Sequence, residues 1–402
     1  VNEVAESYVK LNLAVGRHDP HYVDAYYGPP DWKAEVDSQA WDLSEIRERA
    51  LVTKDDLSRY SPSEEMEALR GRFLGKQLDA LIAWVGKLSG ERLSFDEESA
   101  AIYDVVDEGK PDSYYQSAID RLNAVLPGSG DLMDRFAEIR DRFIVPQERL
   151  EEVFAAAIDA AREKTKRFIA LPDSETFEVE LVKGEVWGAY NWYKGNAHSL
   201  IQLNTDFPSI IDQAIPLACH EGYPGHHVYN ALLEEKLYRQ RGWMEFTVYA
   251  LFSPQSLIAE GTAEYGIELM YPPEERRQFE REVLLPLAGL DPAGFEEFSE
   301  ARKLVKDLGR SGIDAGRRYL DGHATREETI EWLCRYGLTK PDRSEQRVRF
   351  IEANRSYVVT YVVGEQMVRN YVERLGSTEA ERWRVFESLL DSPRTPSGLL
   401  EN

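Results

Sequence analysis

Cysteine is nearly absent from this chain of 402 residues: there are two, Cys219 and Cys334. Two thiols so far apart build no disulfide framework, and a reducing, cytoplasmic compartment is the simpler expectation. The chain begins at Val1 without a methionine, which leaves room for a removed leader. No run of about 18 apolar residues occurs, so no membrane span is expected. There is no internal repeat, no low-complexity tract and no linker-like stretch, so the expectation is one domain over 1–402. Basic residues are also short, at 48 against 72 acidic, a net charge of −24. That field disfavours nucleic acid and anionic membrane surfaces as partners. What it otherwise reflects is solubility, with attraction of cationic substrates as the sharper alternative.

Aromatic residues are plentiful, with 8 Trp, 21 Tyr and 15 Phe, which argues for a packed core rather than disorder. Their setting is mostly helical. Val4, Tyr8, Leu11 and Val15 step at three to four residues, and Leu74, Leu78, Leu81, Ile82 and Val85 do the same. So do Leu150, Val153, Phe154, Ala157, Ile158 and Ala161, within a helical region over 64–171. The segment from His18 to Pro30 reads as a loop, and its histidines and aspartates as structural or supporting groups.

Near residue 172 the period changes. Phe177, Val179 and Leu181 alternate with Glu178 and Glu180, Val186–Tyr193 is aromatic and β-prone, and His198–Asn204 reads as another strand. Helix returns from 205 onward. Pro216 suits a first turn, Ser253 and Pro254 start a helix through Met270, and further helices are expected near 275–308, 326–336, 345–373 and 377–391. The expected fold is mostly α: two helical lobes around a cleft. A small sheet at about 175–205 would lie beside a metal core at about 215–270.

Three of only seven histidines fall within eight residues, His220-Glu221-Gly222-Tyr223-Pro224-Gly225-His226-His227. Imidazoles that hold Zn²⁺ beside a glutamate that activates water are the chemistry of zinc hydrolases. The helical form H-E-x-x-H places its histidines at i and i+4, but here i+4 is Pro224. In an unbroken helix His227 would share the His220 face about 10 Å away, awkward for one metal. Proline also clashes with the carbonyl four residues before it. A bulge at Tyr223–Gly225 would bring His226 toward the i+4 place, which favours His226 over His227 as ligand and leaves His227 for a catalytic or substrate-side role. Glu221 is then the general base. Glu260 and Glu264 share one helix face in apolar surroundings, with Glu260 the third ligand and Glu264 a partner that orients a histidine. Gly261 between them lets another backbone approach.

These residues resemble a bacterial family known as domain of unknown function 885, which carries H-E-x-x-P-G-H-H and a later E-G-x-A-x-Y. Asp314-Ala315-Gly316, Tyr361-Val362-Val363-Gly364 and Phe386–Leu390 extend the likeness over about residues 60 to 400. The family is thought to be related to glutamate-zinc peptidases. The resemblance implies His220, His226 and Glu260 as ligands and Glu221 as base. The chain departs from the family's pattern at Thr262, where a bulkier residue is usual, and at Arg318, where a histidine is frequent. Tyr361, Tyr357 and His323 are candidates to donate to an oxyanion, with Tyr361 first. His323 and Arg318 are substrate-binding candidates, and Arg317 or Arg318 could hold a peptide carboxylate. The expected activity is cleavage of short peptides, with the strand near 198–204 holding the substrate backbone. Hydrolysis of another amide or ester, or a non-catalytic metal site, are the alternatives. Nothing in the sequence sets the oligomeric state.

Overall fold

Apolar periodicity in the first helix, α1 (Asn2–His18), buries Val4, Tyr8, Leu11 and Val15 on one face. The structure is a computed structural model and describes residues 1–185, 187–206 and 208–401. Most of these are helical. The stripe of Leu74, Leu78 and Leu81 lies buried on α2 (Glu65–Leu88), and that of Leu150, Val153 and Phe154 on α4 (Leu150–Thr165); α3 (Phe95–Tyr103) comes between them. One apolar core runs from Val4 to Leu399, so the termini pack into the same body. Among the described residues no helix is long and apolar enough to cross a membrane.

The β region has three strands: β2 (Thr176–Val182), β3 (Ala189–Gly195) and β4 (His198–Asn204), in the order β2-β4-β3. β4 runs parallel to β2 and antiparallel to β3. Val186, part of the expected aromatic strand, lies outside the described residues. A second, two-stranded sheet departs from the expected loop at 18–30. There β1 (Val23–Tyr26) pairs antiparallel with β5 (Val248–Ala250), 222 or more residues along the chain. Such a partner is invisible to local pattern, because the pairing and not the segment makes the strand.

Beyond the sheet, α5 (Ala214–Leu217) continues as a π-helical turn, Ala218–Gly222. The chain then passes a cis Tyr223–Pro224 bond and restarts as α6 (His226–Leu232). α7 (Pro254–Met270) is buried on almost every side, as a central helix must be. Pro254 takes its first turn. Ser253 holds the N-cap position, but its hydroxyl donates to the Ala250 carbonyl at 2.8 Å instead of capping.

The helix expected over 345–373 is two helices. α9 (Pro341–Asn354), which follows α8 (Ser311–Leu320), stops at Arg355, whose φ is +53°. α10 (Val359–Leu375) follows after a short 3₁₀ turn. The break is held from α3: the buried Glu98 carboxylate accepts from Arg355 Nε, from Ser356 N at 3.2 Å and from Ser356 Oγ at 2.6 Å. A carboxylate at the start of α10 satisfies donors that the new helix leaves free.

Candidate metal centre

The chain reverses abruptly between Gly222 and His226. The amide of Tyr223 donates to the Ala218 carbonyl at 3.0 Å, closing a wide turn, and that of Gly225 donates to the Cys219 carbonyl at 2.9 Å. A Cβ on Gly225 would fall 1.9 Å from the His220 carbonyl oxygen, so only glycine fits there. The expected bulge is thus a complete break, with the two histidines on different helices. It brings them together: His226 Nε2 lies 3.1 Å from His220 Nε2.

Glu260 on α7 completes the group. Its Oε2 is 3.2 Å from His220 Nε2 and 3.6 Å from His226 Nε2. Four tetrahedral ligands with bonds of about 2.05 Å stand about 3.3 Å apart. The three observed separations bracket that value. Glu260 Oε2 is also buried with no hydrogen-bond partner, and the two imidazole nitrogens that face it stand as two ligands of one cation would. The residues present fit a divalent metal, and two nitrogens with one carboxylate oxygen are a zinc set that leaves a fourth position open.

Two of the three candidate ligands are oriented from behind. Tyr357 Oη donates to Glu260 Oε1 at 2.7 Å, which turns Oε2 toward the histidines. Glu264 Oε1 lies 3.3 Å from His220 Nδ1, fixing the ring so that Nε2 faces the group. The electrostatics are strongly coupled. Burial disfavours the His220 cation, but Glu260 and Glu264 outweigh it and hold its pKa well above the ordinary histidine value. Burial would raise Glu260, yet His226 and His220 hold its carboxyl far below the usual range. Burial raises Glu221 against the opposing pull of the same two histidines.

A cleft of about 940 Å³ opens onto this group, and His220, Glu221, Glu264 and Tyr361 line it. Glu221 is held by its backbone: its carbonyl accepts from Asn191 Nδ2 on β3 at 2.6 Å, which leaves the carboxylate to the cleft. The Tyr361 ring lies 6.3 Å from that of His220, nearly parallel to it. The sheet packs behind the turn, and the start of β3 reaches the cleft through Ala189.

Four sequence candidates lie elsewhere. His227 is fully buried: its Nδ1 lies 2.8 Å from Ser199 Oγ on β4, and its ring packs against Phe177 and Tyr223. It faces the core under the sheet and does not line the cleft, because the restart of α6 at His226 turns the next residue about 100° away. His323 and Arg318 are exposed and line a separate small pocket, with Arg318 stacked 4.3 Å over Trp332. Arg317 is held by Asp314 and Asp96. The strand proposed to hold substrate, β4, is the central one. β2 and β3 use both its edges, and among the described residues the outer edges of β2 and β3 are the unpaired ones.

Sequence reasoning gave Asp24, on β1, a structural or supporting role without singling it out. Burial raises its carboxyl to about 6, and it receives a hydrogen bond from Tyr190. It sits within electrostatic reach of His226, Glu260 and Glu221. Only its place in the His18–Asp24 cluster hinted at it. The neighbours there are structural: Asp19 Oδ2 accepts from the Trp84 indole at 3.1 Å, and His18 Nε2 lies 2.8 Å from the Trp41 carbonyl.

No protein-family model matches the chain, and no curated protein does. Among solved structures, the chain is similar to a "putative lipoprotein" of Colwellia psychrerythraea, at 16% identity and a TM-score of 0.56, over 91% of this chain and 71% of that one. It is also similar to a "putative lipoprotein of unknown function" of Shewanella oneidensis, at 12% identity and a TM-score of 0.49, over 92% and 75%. The Colwellia likeness shows a shared fold.

Proposed function

We propose that this chain is a zinc-dependent hydrolase of short peptides. The observation that carries the reading is the convergence of His220 Nε2, His226 Nε2 and Glu260 Oε2 within 3.1 to 3.6 Å, beside Glu221 in an open cleft. Zinc held there supplies Lewis acidity to the carbonyl under attack. Glu221 takes the proton of the attacking water and passes it to the departing amine. Burial raises its carboxyl, which makes it a better acceptor of the water's proton than an ordinary carboxylate. The Tyr361 hydroxyl donates to the oxygen that gains charge. Tyr357 is committed to Glu260 and is a positioning residue. Gly188 and Ala189 bring the start of β3 to the cleft wall, so its free edge offers a backbone ladder to an extended peptide.

A cleft-lining Glu221 speaks against a purely structural metal site, which needs no base. The motif likeness to domain of unknown function 885 points the same way, though it rests on the motif residues and not on a match over the chain. A cytoplasmic location belongs to the same proposal and rests on the two unpaired thiols, Cys219 and Cys334.

The test is elemental analysis of the purified protein followed by peptide assays of wild type and Glu221→Gln. The expected result is about one zinc per chain, turnover by wild type, and a variant that keeps zinc without turnover. A protein that holds no zinc after zinc is added back would overturn the reading.

A further inference from the structure

Four basic side chains line the cleft, together with Asp141, Asp342, Glu221 and Glu264. They are Arg140, Lys340, Arg343 and Arg347. Three of these are accounted for. Arg140 donates two hydrogen bonds to Asp141, Arg343 donates to Gln346 Oε1 at 3.1 Å, and Lys340 is exposed to solvent at the rim.

Arg347, on α9, differs. Among the described residues its guanidinium has no hydrogen bond and no ion pair; it lies 5.1 Å over the Phe350 ring. It rests on Gly312 of α8, where a Cβ would meet Nη2 at 3.0 Å and Nε at 3.1 Å. Burial disfavours its charge, and Tyr361 lies within its electrostatic reach. Tyr361 in turn stands beside His220. A half-buried guanidinium without a carboxylate is costly, and a planar fork of donors is built for a bidentate oxyanion.

We propose that Arg347 is the anion-binding residue of the cleft and holds a substrate carboxylate. On the peptidase reading, on which this specificity rests, the substrate is a peptide with a free C-terminus and the enzyme removes residues from that end. The carboxylate pairs with Arg347, and the scissile carbonyl lies toward His220, with Tyr361 between the two.

The binding arm of the test uses 3-phenylpropanoate and 3-phenylpropanamide as probes, with calorimetry on the zinc-loaded full chain. Wild type is expected to bind the acid about 30-fold or more tightly than the amide, the scale of a buried charge pair. Arg347→Gln should abolish the preference, and Arg347→Lys should keep part of it. Gly312→Ala, which fills the seat of the guanidinium, should weaken it from a different helix. Thermal melting identifies which variants are folded. Equal binding of acid and amide, or a preference that survives in Arg347→Gln, would overturn the assignment.

The turnover arm compares acetyl-trialanine with its carboxamide. Equal turnover of both, unchanged by Arg347→Gln, sinks the carboxylate specificity and leaves the peptidase reading standing. Arg347-dependent binding of the acid with neither peptide cleaved sinks the peptidase reading and leaves the anion site standing.

Discussion

Gly261 and Gly364 meet backbone to backbone where α7 crosses α10. A Cβ on Gly261 would stand 2.5 Å from the carbonyl carbon and oxygen of Gly364, and one on Gly364 would stand 2.7 Å from the Leu257 carbonyl oxygen. This contact sets the distance between the helix that carries Glu260 and the helix that carries Tyr361. The geometry of the candidate metal site depends on two residues that carry no chemistry.

Gly261→Ala or Gly364→Ala is therefore expected to push the helices apart. Stability should fall by about 1–3 kcal/mol, the scale of an overpacked core. Activity should fall further than stability explains, because Tyr357 loses its 2.7 Å contact with Glu260. Denaturant melts alongside kcat/KM separate the two effects. A variant with wild-type stability and activity would contradict the close crossing.

His226→Ala should lose zinc on dialysis, while His227→Ala should retain it. The reason is position: His226 Nε2 faces His220, whereas His227 is bonded to Ser199 under the sheet. Zinc content by elemental analysis decides this. Wild type stripped by a chelator should also melt lower than the zinc-loaded form, since the ligand set exists only in the folded chain.

Glu264→Gln and Tyr357→Phe should weaken zinc binding by about 10- to 100-fold while leaving the fold intact, as expected for groups that orient ligands. Tyr361→Phe should leave zinc affinity unchanged and lower kcat by about 100-fold or more, with little change in KM. Competition against a chromophoric chelator and steady-state kinetics read the two separately. Equal effects on zinc and on kcat from Tyr361→Phe would remove it as an oxyanion donor.

Burial holds the His227 imidazole down at about 4, against an ordinary value of 6.5. Between those values the unfolded chain binds the proton and the folded chain does not. Stability should thus fall as pH drops from 6.5 toward 4, with no further loss from this group below 4. The contribution is about 3 kcal/mol over that window. Urea unfolding of zinc-free protein at several pH values should show this slope, and His227→Gln should flatten it.

Much of the fold was legible in local pattern. The stripes on α1, α2 and α4 bury the residues the 3.6-residue period picks out, because a helix shows the core a single face. β2 and β4 followed from alternation and β-branched residues. The strand β1 was not legible, since its partner β5 is more than 220 residues away. The break at Arg355 was not either, because the carboxylate that holds it comes from Glu98 on another helix.

At the site, residue type and spacing were enough to single out His220, Glu221, His226, Glu260 and Glu264 as one chemical set. A proline at i+4 and a glycine after it marked a local bulge, and the structure extended it to a complete break. Tertiary structure alone decided which groups face one another. It turned His227 into the core, left Arg318 and His323 on a separate surface, brought Asp24 in from β1 and placed Arg347 unpaired in the cleft wall. The physical reason is that a side chain's role depends on direction and on its neighbours. Both are set by the packing of helices distant in sequence, and no local pattern encodes them.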